Sequence, residues 1–292
     1  MKLGLRIAVN TLVGAVKGVP ALLELFDQYQ IKASFFFATG PDKSGRLTNR
    51  SQQPWYAHLP LRSRLYGLLI KPPLIVEEAG KKLLAVAAAG HETGILCHDR
   101  GHWLNRLAHA DEAWTRSELL KSVDSYTDLF GRRPNCMASA GWQTNPYLLA
   151  LQQELGFDYA SDVRGKSAFV PLLQNVESSC PQLPTTLPTI SELLRQGGEI
   201  NLQNVHEYLY AESQHILPHG HIYACDAEVE GITHLDVLEK LLVMWRNLDE
   251  GIQPLHAFLN GQNRAQLKKH LIGWSNEMTG EVYQATQSLK QN

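Results

Sequence analysis

Cysteine is scarce in this 292-residue chain: Cys97, Cys136, Cys180 and Cys225 are widely scattered, with no CxxC pair. That spacing excludes the common thiolate metal and redox motifs and reads as buried, reduced thiols in a reducing compartment. A charge excess is missing too. The 27 Lys and Arg stand against 29 Asp and Glu, a formal net charge of −2, so the electrostatic footprint of a nucleic-acid binder is absent. No window reaches the roughly 18 uncharged apolar residues of a spanning helix. The N-terminus, MKLGLRIAVN, has no apolar h-region and no small-residue cleavage site, which speaks against secretion. A cytoplasmic protein is expected, with residues 42–76 leaving open a peripheral place on the inner-membrane face. No repeat or low-complexity tract occurs.

What is present is ordinary globular composition, 44% hydrophobic and 19% charged, enough for a large core. LGLRIAV at residues 3–9 suits a buried parallel strand. Pro20 opens a helix with Leu22, Leu23, Leu25 and Phe26 on its apolar side, and Lys32 to Ala38 is a second strand ended by Gly40-Pro41. A strong helix over 77–89 is capped by Gly90. A third strand follows over 91–97, then His98-Asp-Arg-Gly-His-Trp as a loop. The next helix is read over 115–130, with Thr115 and Glu118 as a capping box and Gly131 closing it. Further strands are read over 135–140, around 159–162, 221–225 and 254–258, and helices over 146–155, 205–211 and 235–251. An edge strand is read over 182–186, inside a proline-rich loop. The tail from 260 to 292 reads as partly helical and partly loose.

Strands alternating with helices predict a parallel sheet closed or nearly closed into an α/β barrel. Such folds place their sites at the carboxyl ends of strands. Those ends are Ala8 to Asn10, Leu96 to Arg100, Gly141 to Gln143, Ser161 to Arg164, and Cys225 to Glu230.

The motifs GLRIAVNT, FFFATGPDKSGR, HETG, CMASAGWQ, YASDVRG, LPTTLPT and HIYACDAEVEG occur in one order. Together they make the chain, from residue 3 to about 260, similar to the polysaccharide deacetylase (NodB-homology) family. Within it the closest resemblance is to the deformylases that act on 4-deoxy-4-formamido-L-arabinose-phosphoundecaprenol in lipid A modification. The resemblance implies a distorted (β/α) barrel over residues 1–260, an insertion at 42–76 as a lid that could face a membrane, and a C-terminal tail at 261–292. It also implies a divalent metal and metal-dependent hydrolysis of an amide C–N bond.

The residues that would carry that chemistry are replaced. The family's general base falls on Ala8 and its carboxylate metal ligand on Asn10. The two histidine ligands fall on Leu96 and Arg100, the motif arginine on Gln143, and the late general acid on Asp226. Ala8 cannot accept a proton, so general-base assistance of roughly 10²- to 10⁴-fold has no carrier. Without carboxylate and imidazoles there is no ligand set for a metal, and Arg100 puts a fixed positive charge where the cation sat. The expectation is a silent homologue, a pseudoenzyme with no catalytic residue at work and no cofactor.

Arg100 then has Asp99, Asp162 or Asp226 as its counter-ion. The remaining polar strand ends, Asp99, Arg100, Asp162, Arg164, Asp226, Glu228 and Glu230, either tie loops together or line a groove. That groove would take a lipid-linked sugar or another ligand, or serve a protein partner.

Two further readings stay open. His98 and His102 form a second His-x-x-x-His, two residues on. With Asp99 or Asp226 they could rebuild a site for Zn, Mn, Co or Ni in an active deformylase or deacetylase. Residues 42–76 mix Arg46, Arg50, Arg62, Arg64 and Lys71 with Trp55, Tyr56 and many leucines. That is the composition of an interfacial membrane anchor or of a lid packed on the barrel.

Overall fold

The computed structural model describes residues 1–47, 53, 55–260, 266–276 and 284–288. Its strands are β1 (Leu3–Val9), β2 (Ser34–Ala38), β3 (Glu92–Cys97), β4 (Cys136–Ala138), β5 (Tyr159–Ser161), β6 (Val170–Leu173), β7 (Val176–Glu177), β8 (His221–Asp226), β9 (Ile252–Gln253), β10 (Lys269–Ser275) and β11 (Gln284–Gln287). The helices are α1 (Val19–Gln28), α2 (Leu61–Arg64), α3 (Ile75–Ala88), α4 (Arg100–Arg106), α5 (Glu112–Phe130), α6 (Pro146–Glu154), α7 (Ile190–Gln196), α8 (Val205–Ser213) and α9 (Leu235–Trp245).

β1 is buried along its whole length, as a strand covered on both faces must be. It pairs in parallel with β2 on one side and with β8 and β9 on the other. The curled sheet runs β5-β4-β3-β2-β1-β8. Phe35, Phe36 and Phe37 of β2 are all fully buried, each contributing about 1.5–3 kcal/mol of apolar transfer energy.

Residues 181–186 link the sheet's two edges. Leu183 N donates to Ala160 O (2.8 Å), Thr185 N to Val163 O (3.0 Å) and Thr186 N to Ile222 O (2.9 Å). The stretch expected as an edge strand therefore lies between β5 and β8, joined by isolated bridges. Pro181 and Pro184 remove the donors a continuous ladder needs. The architecture is a distorted (β/α) barrel.

Four sequence expectations are corrected. α5 begins at Glu112, where the Asp111 carboxylate accepts from Trp114 N. Thr115 sits inside the first turn and its hydroxyl donates to Asp111 O at 2.8 Å. The segment after His98 is no loop, because Asp99 caps α4 by accepting from His102 N. The strand expected over 254–258 is a 3₁₀ turn, Leu255–Leu259: Pro254 offers no donor and the Leu255 amide bonds to Ser34 Oγ (2.7 Å). The tail, in its described part, forms β10 and β11. β10 pairs in parallel with β6 and antiparallel with β11, burying Ile272 and Ala285 in a second small core with Val163 and Phe169. Polar neighbours hid that period-two pattern.

All four cysteines are buried, and none forms a disulfide among the described residues. Cys97, Cys136 and Cys225 lie in β3, β4 and β8, and Cys180 immediately precedes the 181–186 link.

Within 42–76, Leu47, Trp55 and Leu59 pack with Val229 of the barrel; Arg50 lies outside the described residues. No helix among the described residues is long and apolar enough to cross a membrane.

Candidate functional site

Strand alternation points Arg6, Ala8 and Asn10 of the β1 segment to one side. There they line a cavity of about 110 Å³ at the carboxyl end of the barrel. Leu96, Arg100 and Asp226 line it too, with Trp142 and Gln53. Five of the six positions singled out in the sequence, Ala8, Asn10, Leu96, Arg100 and Asp226, therefore meet around one space. Gln143 does not: its side chain folds back to Gly141 O at 3.2 Å.

Arg100 is the first residue of α4, and this start aims its side chain across the cavity. Its Nε donates to Asn10 Oδ1 at 2.7 Å and its Nη2 to Gln53 Oε1 at 2.8 Å. The guanidinium lies over the Trp55 ring, 5.1 Å from its centroid. Asn10 turns its amide nitrogen the other way, donating to Asp226 Oδ1 (2.8 Å) and Glu228 Oε2 (3.0 Å). This orientation follows from chemistry: two carboxylates need donors and the guanidinium needs an acceptor.

Glu228 closes the cluster from behind. Its Oε1 accepts from Asn10 N (3.0 Å), Thr11 N (2.7 Å) and Thr11 Oγ1 (2.8 Å). Only glycine at position 14 permits this, since a Cβ there would stand 2.1 Å from Glu228 Oε1. Gly14 opens a π-helical turn, Gly14–Gly18, and Glu228 precedes a second, Val229–Thr233. The turns meet so closely that a Cβ on Gly231 would come within 2.8 Å of Gly18.

Burial first, and Asp226 second, push Glu228 up to about 7 and Glu230 up to about 8. Glu230 accepts from Tyr223 Oη (2.8 Å) and Asp226 N (2.7 Å). Burial also raises Asp226, against the pull of Arg100.

The other expected residues separate into distinct roles. Asp99, besides capping α4, pairs with Lys43 at 2.5 Å; the carboxylates whose charge reaches Arg100 are Asp226 and Glu228, through space and across Asn10. Asp162 accepts from Gln152 (2.6 Å) and Gln182 (2.9 Å) and is pushed by burial up to about 6. Arg164 pairs with Glu192, stacks on the Trp142 face at 3.9 Å and lines a neighbouring groove with Thr185 and Gln287. Asp42 accepts from Leu12 N (2.9 Å), tying the loop after β2 to the loop after β1.

The second His-x-x-x-His does not converge. His98 lies against Gly40, where a Cβ would approach its ring to 2.7 Å. His102 is largely exposed beside Asp99. Among the described residues no group of three His, Cys, Asp or Glu side chains is placed to hold a metal. A divalent cation does not fit the cavity's donor set either. Asn10 Oδ1 already accepts from a guanidinium, and that guanidinium is itself the cation facing Asp226 and Glu228.

Sequence reasoning missed Gln53 and Trp55, which seat Arg100 from a segment far away in the chain. It also missed Trp142, which follows Gly141 into left-handed backbone (φ 52 and 64), a strained geometry that concentrates at sites. Trp55 did stand out in the basic, aromatic segment, without a hint of its partner.

No family model matches the chain. A curated relative from Shewanella sediminis, named as a probable 4-deoxy-4-formamido-L-arabinose-phosphoundecaprenol deformylase ArnD, is 35% identical over 274 residues, covering 90% of this chain and 87% of the relative. Two solved structures share the fold. One is a probable polysaccharide deacetylase from Pseudomonas aeruginosa PAO1, with TM-score 0.61 and 14% identity over 89% of each chain. The other is a CE4 family pseudoenzyme from Bacillus anthracis, with TM-score 0.54 and 14% identity over 88% of this chain and 65% of that one.

Proposed function

Since the chain belongs to the family of 4-deoxy-4-formamido-L-arabinose-phosphoundecaprenol deformylases, built on the polysaccharide deacetylase barrel, we propose that it is a silent member that binds rather than hydrolyses. Its ligand on this reading is an amide-bearing sugar linked to a polyprenyl phosphate, which would place it at the cytoplasmic face of a membrane. The observation that carries the reading is Arg100. Its guanidinium donates to Asn10 and acts through its charge on Asp226 and Glu228, a place a hydrolytic cation would need. Ala8, beside it, offers no base.

The test is metal content of the purified chain together with a deformylase assay on a formamido-sugar lipid. The expected result is sub-stoichiometric metal, no turnover, and retained binding of the sugar lipid. Stoichiometric Zn, Mn, Co or Ni with turnover overturns the reading. If that metal and activity then vanish in His98→Ala/His102→Ala, the site is rebuilt on those imidazoles.

A further inference from the structure

Between Asp42 and Glu77 the chain carries no Asp or Glu, yet it carries Lys43, Arg46, Arg50, Arg62, Arg64 and Lys71. In a protein of net charge −2 this is a one-signed island. Its described part also shows the largest local exposure of leucine: Leu69 is 83% exposed, Leu61 73% and Leu68 54%. Exposed apolar side chains grouped this way mark interaction surfaces.

The leucines are presented by a tied turn. The amides of Leu68, Leu69 and Ile70 all donate to Leu65 O at 3.1 Å, Gly67 N donates to Ile70 O at 2.8 Å, and Arg46 Nε donates to Gly67 O. Tyr66 and Ser63 are buried, and Gly45 N donates to Tyr66 O (3.1 Å). Arg62 and Lys71 are exposed and make no ion pair among the described residues. Glu77 and Glu78 of α3 line one groove together with Arg62 and Lys71, at the border of the island and without ion pairs to it among the described residues. The segment sits at the same end of the barrel as the cavity, because Gln53 and Trp55 hold Arg100.

We propose that the 61–71 turn is a docking surface for an anionic phospholipid bilayer, with Leu68 and Leu69 entering the headgroup layer and Arg62 and Lys71 meeting lipid phosphates. Charge complementarity selects this occupant: positive charge of a single sign around an apolar tip suits a continuous negative surface. The inference stands apart from the cavity reading, since it needs neither a sugar in the cavity nor a silent site.

The test is flotation of the full chain with phosphatidylcholine vesicles and with phosphatidylcholine–phosphatidylglycerol vesicles, at low and high salt. Binding is expected to the anionic vesicles only and to weaken with salt. Leu68→Ser/Leu69→Ser and Arg62→Glu/Lys71→Glu should each lower vesicle binding at least about tenfold while leaving the unfolding temperature and sugar-lipid binding in detergent unchanged. No binding, equal binding to neutral vesicles, or binding that survives both double variants overturns the proposal. So does a dimer that the same variants dissolve, which would make the turn a contact between copies.

Discussion

Two glutamates at opposite ends of the barrel, Glu92 half-buried and Glu228 buried, titrate in opposite directions. Glu92, at the start of β3, bonds Ser34 Oγ and the His256 amide and faces the His256 ring at 3.3 Å. Burial pushes its carboxyl up, but those partners outweigh burial and leave it lowered. Glu228, beyond β8, accepts more hydrogen bonds, all from neutral donors, and stands next to Asp226; it is raised to about 7. What separates the two is their company: the hydrogen bonds and charge of His256 pull Glu92 down, whereas Glu228 stands beside a second carboxylate, Asp226, that pushes it up. At the cavity end two guanidinia, Arg100 and Arg6, both pull on Asp226.

Substitutions can break this contrast. The largest effect is expected from Glu228→Ala, which strands four donors of Asn10 and Thr11. Denaturant unfolding should show a loss of about 3–5 kcal/mol, and a loss below about 1 kcal/mol would mean the cluster does not hold the loops. Arg100→Ala comes next, at about 2–3 kcal/mol, with Arg100→Lys recovering part of it; equal stability of all three forms would remove the guanidinium from its role as internal cation.

The pH dependence follows from the signs. Glu228 is raised on folding, so its stabilising contribution is complete below its unfolded pKa and is lost as pH rises through about 7. This one group should take away about 2–3 kcal/mol of stability from about pH 5 to about pH 8; Glu230, raised to about 8, adds to the fall in the same window, so Glu228→Gln should lessen it without abolishing it. Glu92 is lowered, so its contribution is present above its unfolded pKa and is lost as pH falls through its folded value. The smallest effect, about 1 kcal/mol, is expected from Glu92→Gln at neutral pH, with less acid sensitivity than the parent. Acid and alkaline unfolding limbs that respond to the same substitution would erase the distinction between the two ends.

Local pattern made much of the fold legible. The apolar run of β1, the leucine stripe of α1 and the Gly131 cap of α5 each specify themselves within a few residues. What stayed hidden depends on partners far away in sequence. Residues 181–186 bond to Ala160 on one side and Ile222 on the other, and proline-rich sequence gives no sign of either. β10 looks polar because part of it is solvated, and β11 because its buried Gln284 and Gln287 are there to bond Arg164 and the Lys166 amide. In the site, Asn10, Arg100 and Asp226 could be gathered by their positions at strand ends. Gln53 could not, because it reaches Arg100 across 47 residues of chain.

The four buried cysteines divide the barrel into zones with separate clocks. Cys97, Cys136 and Cys225 sit in laddered strands, where burial raises their thiols and keeps them unreactive. Cys180 immediately precedes a stretch held to its neighbours by separate backbone hydrogen bonds and bridges rather than by a continuous ladder. A thiol reagent applied to the native chain thus samples two opening events. Parting of the 181–186 link releases one thiol, and the other three wait for the sheet itself to come apart.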